Sequence, residues 1–545
     1  MMDARELERF AVVLAGSRRS PPAVRAAVVA LCACWALWSG CAARPATWRS
    51  VADRHWLELR SEAFILSTDL PRPTALERFR ELEDARRVLL DQFALVAPGP
   101  RPHVPPLHIV HLAHCSDLAA TSQPTAAVSV TRDRDASGLR LVLACDSTYQ
   151  RRAALMHEMT YMLTAAHFPR LRPWLVEGLA RYYQTLRVEN DSVVIGRPPP
   201  GHLISARTPR SSAPMMAQRI RYSGAPALET LTSMTDTFYT DARFYNYVGA
   251  WKLVHLLNSP PHRGRFVAYL RNLHAGVSLN DAWRAAFGDV GDGIAAQYAN
   301  YSKRMALQVY RVRRTAPAAF RDPIVTSLRP GEVHALWIQL HISGSGTDSV
   351  VRNAIREHLS SMVREDPEWT GIQFWRAVQA HHDDARDLGR AERLLRAYAA
   401  REPRDLRAWA LLVRLGIDRA VPPHYLATGG AVPAGLAAVE PDVRELLRSG
   451  DTPSALNLVG WYYALRRLPR TGLAFAFRAV RADPSCGSCF DTLALLLYED
   501  GRVSDAVAAQ ERAVMLMAER GPGPDVWRRL DLFRRARRNQ AGMPR

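Results

Sequence analysis

Two neighbouring stretches of this 545-residue chain decide its fold, and they are Ala153–Ala166 (AALMHEMTYMLTAA) and Trp174–Leu186 (WLVEGLARYYQTL). The first has no internal Gly or Pro, so it predicts an uninterrupted helix. Pro169 and Pro173 then break the chain, because proline cannot continue a helix from within. The second stretch predicts another helix. The sequence therefore places a His-Glu pair on one helix and a glutamate on the next.

These two helices resemble those of the peptidase-MA-like gluzincin metallopeptidases. In that family a HExxH helix is followed, after a Pro-containing loop, by a helix bearing WLxEGLAxY. The matching residues here are His157, Glu158, Trp174, Leu175, Glu177, Gly178, Leu179, Ala180 and Tyr182. Phe244–Leu257 resembles the family's Tyr-x-x-x-Trp helix through Tyr247 and Trp251, and Leu279–Phe287 resembles its closing segment. The resemblance implies an α+β gluzincin-like (zincin) domain over residues 61–312.

The resemblance also implies a zinc site. Residues i and i+4 of a helix share one face, so HExxH directs two imidazoles at one zinc ion, and a glutamate on the next helix is the third ligand. His157 and Glu177 take these positions. Glu158 would be the general base toward a metal-bound water, and Tyr247 would stabilise the oxyanion.

The motif departs from the family at one position, because His157-Glu158-Met159-Thr160-Tyr161 has tyrosine where the second histidine belongs. A phenol with a pKa near 10 is a poor zinc ligand at neutral pH. Two residues could take the place of the missing histidine ligand. Tyr161 could bind the metal as a phenolate, and His167 has the spacing of the third histidine in metzincins. We expect His167 instead to lie at the surface or at a helix end. Glu177 could instead pair with Arg181 at i+4. The sequence favours a non-catalytic domain; the alternative is an active zinc-dependent peptidase using His157, Glu177 and Glu158.

Further elements of the same region follow from hydrophobic patterning. Strands are predicted at Glu62–Ser67, Leu107–Leu112, Ala126–Val130 and Leu139–Ala144, and a helix at Ala75–Leu95.

The C-terminal part, residues 331–545, follows a predicted linker over residues 313–330 and is helical and repetitive. Small residues recur 34 positions apart, as in Gly460 and Ala494 or Gly472 and Ala506. This spacing resembles tetratricopeptide (TPR) repeats, which pack helix pairs against their neighbours and whose concave surface binds peptides or protein segments. The best units are Pro453–Pro484 and Gly487–Glu519; poorer ones are Ile372–Pro403 and Leu336–Asp366, and Gly416–Ser449 is irregular. An ordinary helical bundle is the alternative.

The N-terminal segment predicts that the protein is located in the cell envelope. Arginines precede an apolar run, Ala26–Trp38, that is too short to span a bilayer but suits a signal peptide. It ends in Ser39-Gly40-Cys41, which resembles a bacterial lipobox with the unusual feature of Trp38. Residues 1–40 are thus a predicted lipoprotein signal, Cys41 the lipidated residue, and 41–60 a linker. Ala42 after the cysteine suggests the outer membrane, facing the periplasm.

The net charge of +19 does not indicate nucleic-acid binding, because the basic residues are scattered and only Lys252 and Lys303 are lysines. So uniform a use of arginine is typical of a GC-rich genome. Cys115 and Cys145 could form a bridge in an oxidising compartment. Cys486-Gly487-Ser488-Cys489 could be a pair of structural thiols, a local disulfide or a redox site.

Overall fold

The computed structural model describes residues 52–545 except 115–116, 118–129, 132–139, 146–148, 169, 190–191, 199–224, 240–242, 289–290, 305–306, 314–320, 344–347, 384–387, 423–424, 426–430, 518–521, 541 and 543–545. The predicted signal segment, Cys41, Cys115 and most of the predicted strand Ala126–Val130 lie outside the described residues.

An N-terminal α+β part comes first along the chain. Its strands, with the last two closing the region, are β1 (Leu57–Arg60), β2 (Phe64–Thr68), β3 (Leu107–Leu112), β4 (Val130–Thr131), β5 (Arg140–Cys145), β6 (Arg187–Glu189), β7 (Ser192–Ile195), β8 (Tyr310–Arg313) and β9 (Ile324–Ser327). Its helices are α1 (Arg72–Val96), α2 (Tyr149–His167), α3 (Pro173–Tyr183), α4 (Leu228–Ser233), α5 (Arg243–Leu257), α6 (Pro260–His274), α7 (Leu279–Phe287) and α8 (Gly291–Tyr301).

The described residues of the C-terminal part form helices. They are α9 (Pro330–Ser343), α10 (Asp348–Glu365), α11 (Gly371–Asp383), α12 (Leu388–Arg401), α13 (Leu406–Ala420), α14 (Glu440–Ser449), α15 (Pro453–Leu465), α16 (Pro469–Ala482), α17 (Gly487–Glu499), α18 (Val503–Met517) and α19 (Pro524–Gln540).

The main sheet of the described residues has the strand order β4-β5-β3-β2-β1-β9. The pairs β2–β3 and β3–β5 are parallel, and the remaining pairs are antiparallel. The central strand β3 is buried along its whole length. Since successive side chains of a strand point to opposite faces, Leu107 and Ile109 join the core of the α+β part, and Val110 and Leu112 pack against α9. Both faces of the sheet are therefore covered, one of them by the first helix of the C-terminal part.

Two strands lie where the sequence predicts linkers, in residues 41–60 and 313–330. β1 pairs with β9 in antiparallel register from Leu57–Ser327 to Arg60–Ile324. Each strand has only four residues, and the two are far apart in the sequence. Local hydrophobic patterning therefore does not predict that they pair. A second, antiparallel sheet of the described residues has the order β6-β7-β8.

The glutamate-bearing helix α3 packs closely on α5, and Gly178 makes this approach possible. A Cβ added there would lie 2.5 Å from Val254 Cγ2 and 2.7 Å from the carbonyl oxygen of Ala250. Any side chain would thus push the helices apart. This contact gives a physical reason for glycine within WLVEGLA.

Consecutive C-terminal helices pack against one another, α15 on α16 and α17 on α18 among them, which confirms the prediction of a helical repeat domain. Helix α17 begins 34 residues after α15, and α18 begins 34 residues after α16. Gly472 lies close to the next repeat, since a Cβ there would lie 2.6 Å from Leu496 Cδ2 and would displace that side chain. No helix in the described part of the chain is both long and apolar enough to cross a membrane.

Candidate functional site

The residues that the sequence selects as metal ligands meet between α2 and α3. His157 and Glu158 lie on α2 and Glu177 on α3, and all three side chains are buried, with Glu177 fully so. His157 Nε2 lies 4.0 Å from Glu177 Oε2. The two helices thus bring together the two residues that the resemblance selects as metal ligands.

Glu177 has a cationic neighbour on its own helix. Arg181 Nε lies 3.4 Å from Glu177 Oε2, which confirms the i,i+4 ion pair expected from the sequence. The guanidinium of Arg181 also lies over the ring of Tyr247, 4.0 Å from its centroid. Tyr247 in turn packs against Phe238 and Tyr239. Arg181 therefore supplies positive charge to the buried carboxylate where a metal would otherwise supply it.

Tyr161, at the position where the resemblance expects a second histidine, contacts helix α18 near the end of the chain. Its side chain is 2% exposed, and its hydroxyl donates a hydrogen bond to the carbonyl oxygen of Met515 at 3.2 Å. Met515 lies in the last turn of α18, where helix carbonyls lack partners within the helix. The phenol therefore acts as a capping group for a helix of the repeat domain.

Arg512 makes the reverse contact from α18 to α2. Its guanidinium donates to the carbonyl oxygens of Ala165 at 2.6 Å and Phe168 at 3.1 Å, and to that of Pro484 at 3.2 Å. Ala165 and Phe168 lie at the C-terminal end of α2, where a cation is favoured by unpaired carbonyls and the helix dipole. The ring of Phe490 lies 4.7 Å from the guanidinium carbon. Desolvation lowers the pKa of Arg512 to about 10, so the group stays charged at neutral pH.

An apolar cluster surrounds the hydrogen bonds that Tyr161 and Arg512 make between α2 and α18. Tyr161, Ala165 and Val176 of the α+β part are buried against Met515 and Leu516 of α18. We refer to this cluster with its two polar contacts as the seam. Each helix thus donates a polar side chain to carbonyl groups at the C-terminal end of the other. Tyr161 of α2 binds the carbonyl of Met515, and Arg512 of α18 binds those of Ala165 and Phe168.

His167 lies at the end of α2, which is one of the two places that the sequence predicts for it. It is nevertheless only 5% exposed, because Phe93 covers its ring at a centroid distance of 5.0 Å. Its Nδ1 donates to the carbonyl oxygen of Leu163 at 2.8 Å, and burial lowers its pKa. His167 therefore takes part in packing and helix termination.

The residues that are present do not fit a catalytic zinc ion. Catalytic zinc has three protein ligands and an open position, whereas His157 and Glu177 are two, the Tyr161 hydroxyl is bonded to Met515, and Arg181 neutralises Glu177. Within the described ranges, no group of three or more His, Cys, Asp or Glu side chains is arranged to hold a metal ion.

Sequence reasoning identifies Tyr161 as the anomalous residue but gives no reason to select Arg512 or Met515. Arg512 is one of many arginines in helical stretches. Its contacts with α2 join residues more than 340 positions apart. No spacing or motif encodes such a pair, so only the folded chain reveals it.

Comparisons with known proteins add little to this picture. No protein-family model matches the chain, and no curated protein matches it. Among solved structures, it is similar to a thermophilic TPR protein from Thermus thermophilus, with 17% sequence identity and a TM-score of 0.29. That likeness covers 37% of this chain and 98% of the other.

Proposed function

We propose that the protein is an envelope lipoprotein, anchored through Cys41 to the outer membrane and facing the periplasm, whose gluzincin-like domain is non-catalytic. Its TPR-like array would bind protein or peptide partners. The observation that carries the non-catalytic assignment is the hydrogen bond from Tyr161 to the carbonyl oxygen of Met515. At the position where a gluzincin has a metal ligand, Tyr161 instead binds a helix of the repeat domain.

The charge at Glu177 supports the same proposal. A fully buried carboxylate is costly unless a positive charge compensates it. In a gluzincin the metal does so, and here Arg181 lies 3.4 Å away on the same helix. The domain can therefore keep Glu177 for stability without a metal.

Partner binding is supported by the array itself. Repeat domains of stacked helix pairs present extended surfaces on which peptides and protein segments bind. In this array the apolar side chains of Leu468 and Phe477 are 41% and 43% exposed. These residues on and beside α16 are available to a partner.

One observation favours the alternative, an active zinc-dependent hydrolase. His157 Nε2 and Glu177 Oε2 lie 4.0 Å apart, as expected if both bound the same metal ion. The two proposals differ in whether the purified protein takes up zinc.

Zinc uptake of three forms of the full chain tests the assignment. We expect wild type to bind no stoichiometric zinc after equilibrium dialysis, and Tyr161→His to bind it, because the new imidazole joins His157 and Glu177. Tyr161→Phe is the matched control, which loses the hydroxyl without gaining a ligand and should bind none. One zinc per wild-type chain, lost in His157→Ala, would instead establish the hydrolase.

The lipid anchor is tested by fractionation. A diacyl-modified cysteine holds a protein at a membrane without a spanning helix, so Cys41→Ala should move the protein from the membrane fraction to the soluble fraction. Cys115→Ala is the control and should leave it with the membranes. If Cys41→Ala stays in the membrane fraction, the anchor is wrong.

A further inference from the structure

The cysteine pair at the start of α17 is joined as a disulfide between Cys486 and Cys489, three positions apart. A disulfide stabilises a protein mainly by closing a loop in the unfolded chain, and the effect grows with loop length. A bridge across so few residues constrains the chain little. Stabilisation of the fold therefore gives a weak reason for this disulfide.

The two sulfur atoms have different environments. Cys486 is the N-cap of α17 and is partly exposed, and its Sγ accepts the backbone N–H of Cys489 at 3.1 Å. Cys489 is fully buried and packs with Leu456 and Ala479. Only one sulfur atom of the pair is thus open to attack from solution.

Cys486 lies at the N-terminus of α17 in a Cys-X-X-Cys arrangement, the spacing that disulfide oxidoreductases use. The first turn of α17 contains no acidic residue. Of the neighbouring charged groups, the Asp483 carboxylate accepts two hydrogen bonds from Ser485, and the Arg512 guanidinium binds the carbonyl of Pro484.

The buried partner suits a resolving thiol. Cys489 Sγ lies 3.9 Å from the carbonyl oxygen of Pro453 and is packed among apolar side chains. Reduction of the disulfide would thus leave a partly exposed thiol at Cys486 and a buried thiol at Cys489. This asymmetry directs exchange through a mixed disulfide to the exposed sulfur.

We propose that Cys486 and Cys489 form a thiol–disulfide exchange site for protein dithiols. A substrate thiolate attacks Cys486 Sγ, the Cys486–Cys489 bond breaks, and Cys489 leaves with the electron pair and takes up a proton. The second substrate thiolate then attacks the substrate sulfur of the mixed disulfide and releases the Cys486 thiolate. The substrate loses two electrons and gains a disulfide, and the cysteine pair gains the two electrons.

Two single variants of the full chain test the asymmetry, with glutathione disulfide as the probe and peptide mapping by mass spectrometry as the readout. Cys489→Ser leaves the exposed sulfur and should form a mixed disulfide at Cys486 at least about tenfold faster than Cys486→Ser does at Cys489. Both variants replace sulfur by oxygen in the same turn, so each is the folding control for the other.

A second measurement uses wild type with reduced, unfolded ribonuclease A as the protein dithiol. We expect wild type to become a dithiol as the substrate is oxidised, and the Cys486→Ser/Cys489→Ser double variant to be inert. The proposal is overturned if the two single variants react at equal rates. It is also overturned if the wild-type disulfide does not exchange with the dithiol substrate.

Discussion

Trp337→Ala is expected to lower the free energy of unfolding by about 3–5 kcal/mol, the usual cost of removing a fully buried tryptophan. Trp337 on α9 is 0% exposed and packs edge-on against Trp56 at a centroid distance of 6.5 Å. The same cluster includes Val110 and Leu112 of the central strand. The indole therefore joins the sheet to the first helix of the repeat domain, and its removal opens a cavity at that joint.

Guanidinium chloride unfolding, followed by circular dichroism, measures the loss. Ile342→Ala is a matched control on the same helix, because its side chain is 39% exposed. An exposed helix position tolerates alanine at a cost within about 0.5 kcal/mol. Equal effects of the two substitutions would show that α9 does not depend on its contact with the sheet.

Arg512→Ala is expected to cost about 3 kcal/mol or more. It removes three hydrogen bonds to carbonyl groups of Ala165, Phe168 and Pro484, and a buried acceptor that loses its donor costs about 1–3 kcal/mol. It also removes the guanidinium from the face of Phe490. The lost stability is that of the seam, because two of the carbonyl groups lie at the end of α2 whereas the arginine lies on α18.

Arg512→Lys separates charge from geometry. A lysine keeps the positive charge but lacks the planar fork that reaches several acceptors at once, so its loss of stability should lie between those of wild type and Arg512→Ala. Arg535→Ala is the surface control: Arg535 is 69% exposed and 3.9 Å from Asp531, and such pairs contribute little. A loss in Arg512→Ala no larger than in Arg535→Ala would contradict the role of Arg512.

Local patterning predicted the elements that position the site. The strand Leu107–Leu112 has the predicted bounds. The predicted helix Ala153–Ala166 is observed as Tyr149–His167, and Trp174–Leu186 as Pro173–Tyr183. These elements follow from apolar periodicity and from proline positions, which act over a few residues.

Contacts between distant elements could not be predicted in the same way. The strand Ile324–Ser327 has mostly exposed side chains, so hydrophobic patterning does not reveal it, and backbone hydrogen bonds to β1 hold it. The resemblance singled out Tyr161 because it departs from the HExxH pattern, but its hydrogen bond to a carbonyl 354 positions away has no local signature. A local pattern indicates that a residue departs from a motif, whereas its contact is seen only in the tertiary structure.

Hydrogen exchange is the most direct test of the central claim, that α18 of the repeat array packs against α2, the helix that carries His157 and Tyr161. Amide exchange, read by mass spectrometry, compares wild type with Arg512→Ala and Arg535→Ala. We predict that Arg512→Ala loses protection at the C-terminal ends of both α2 and α18, while α9 and α10 stay as in wild type. Unchanged protection of α2 in Arg512→Ala would contradict the account.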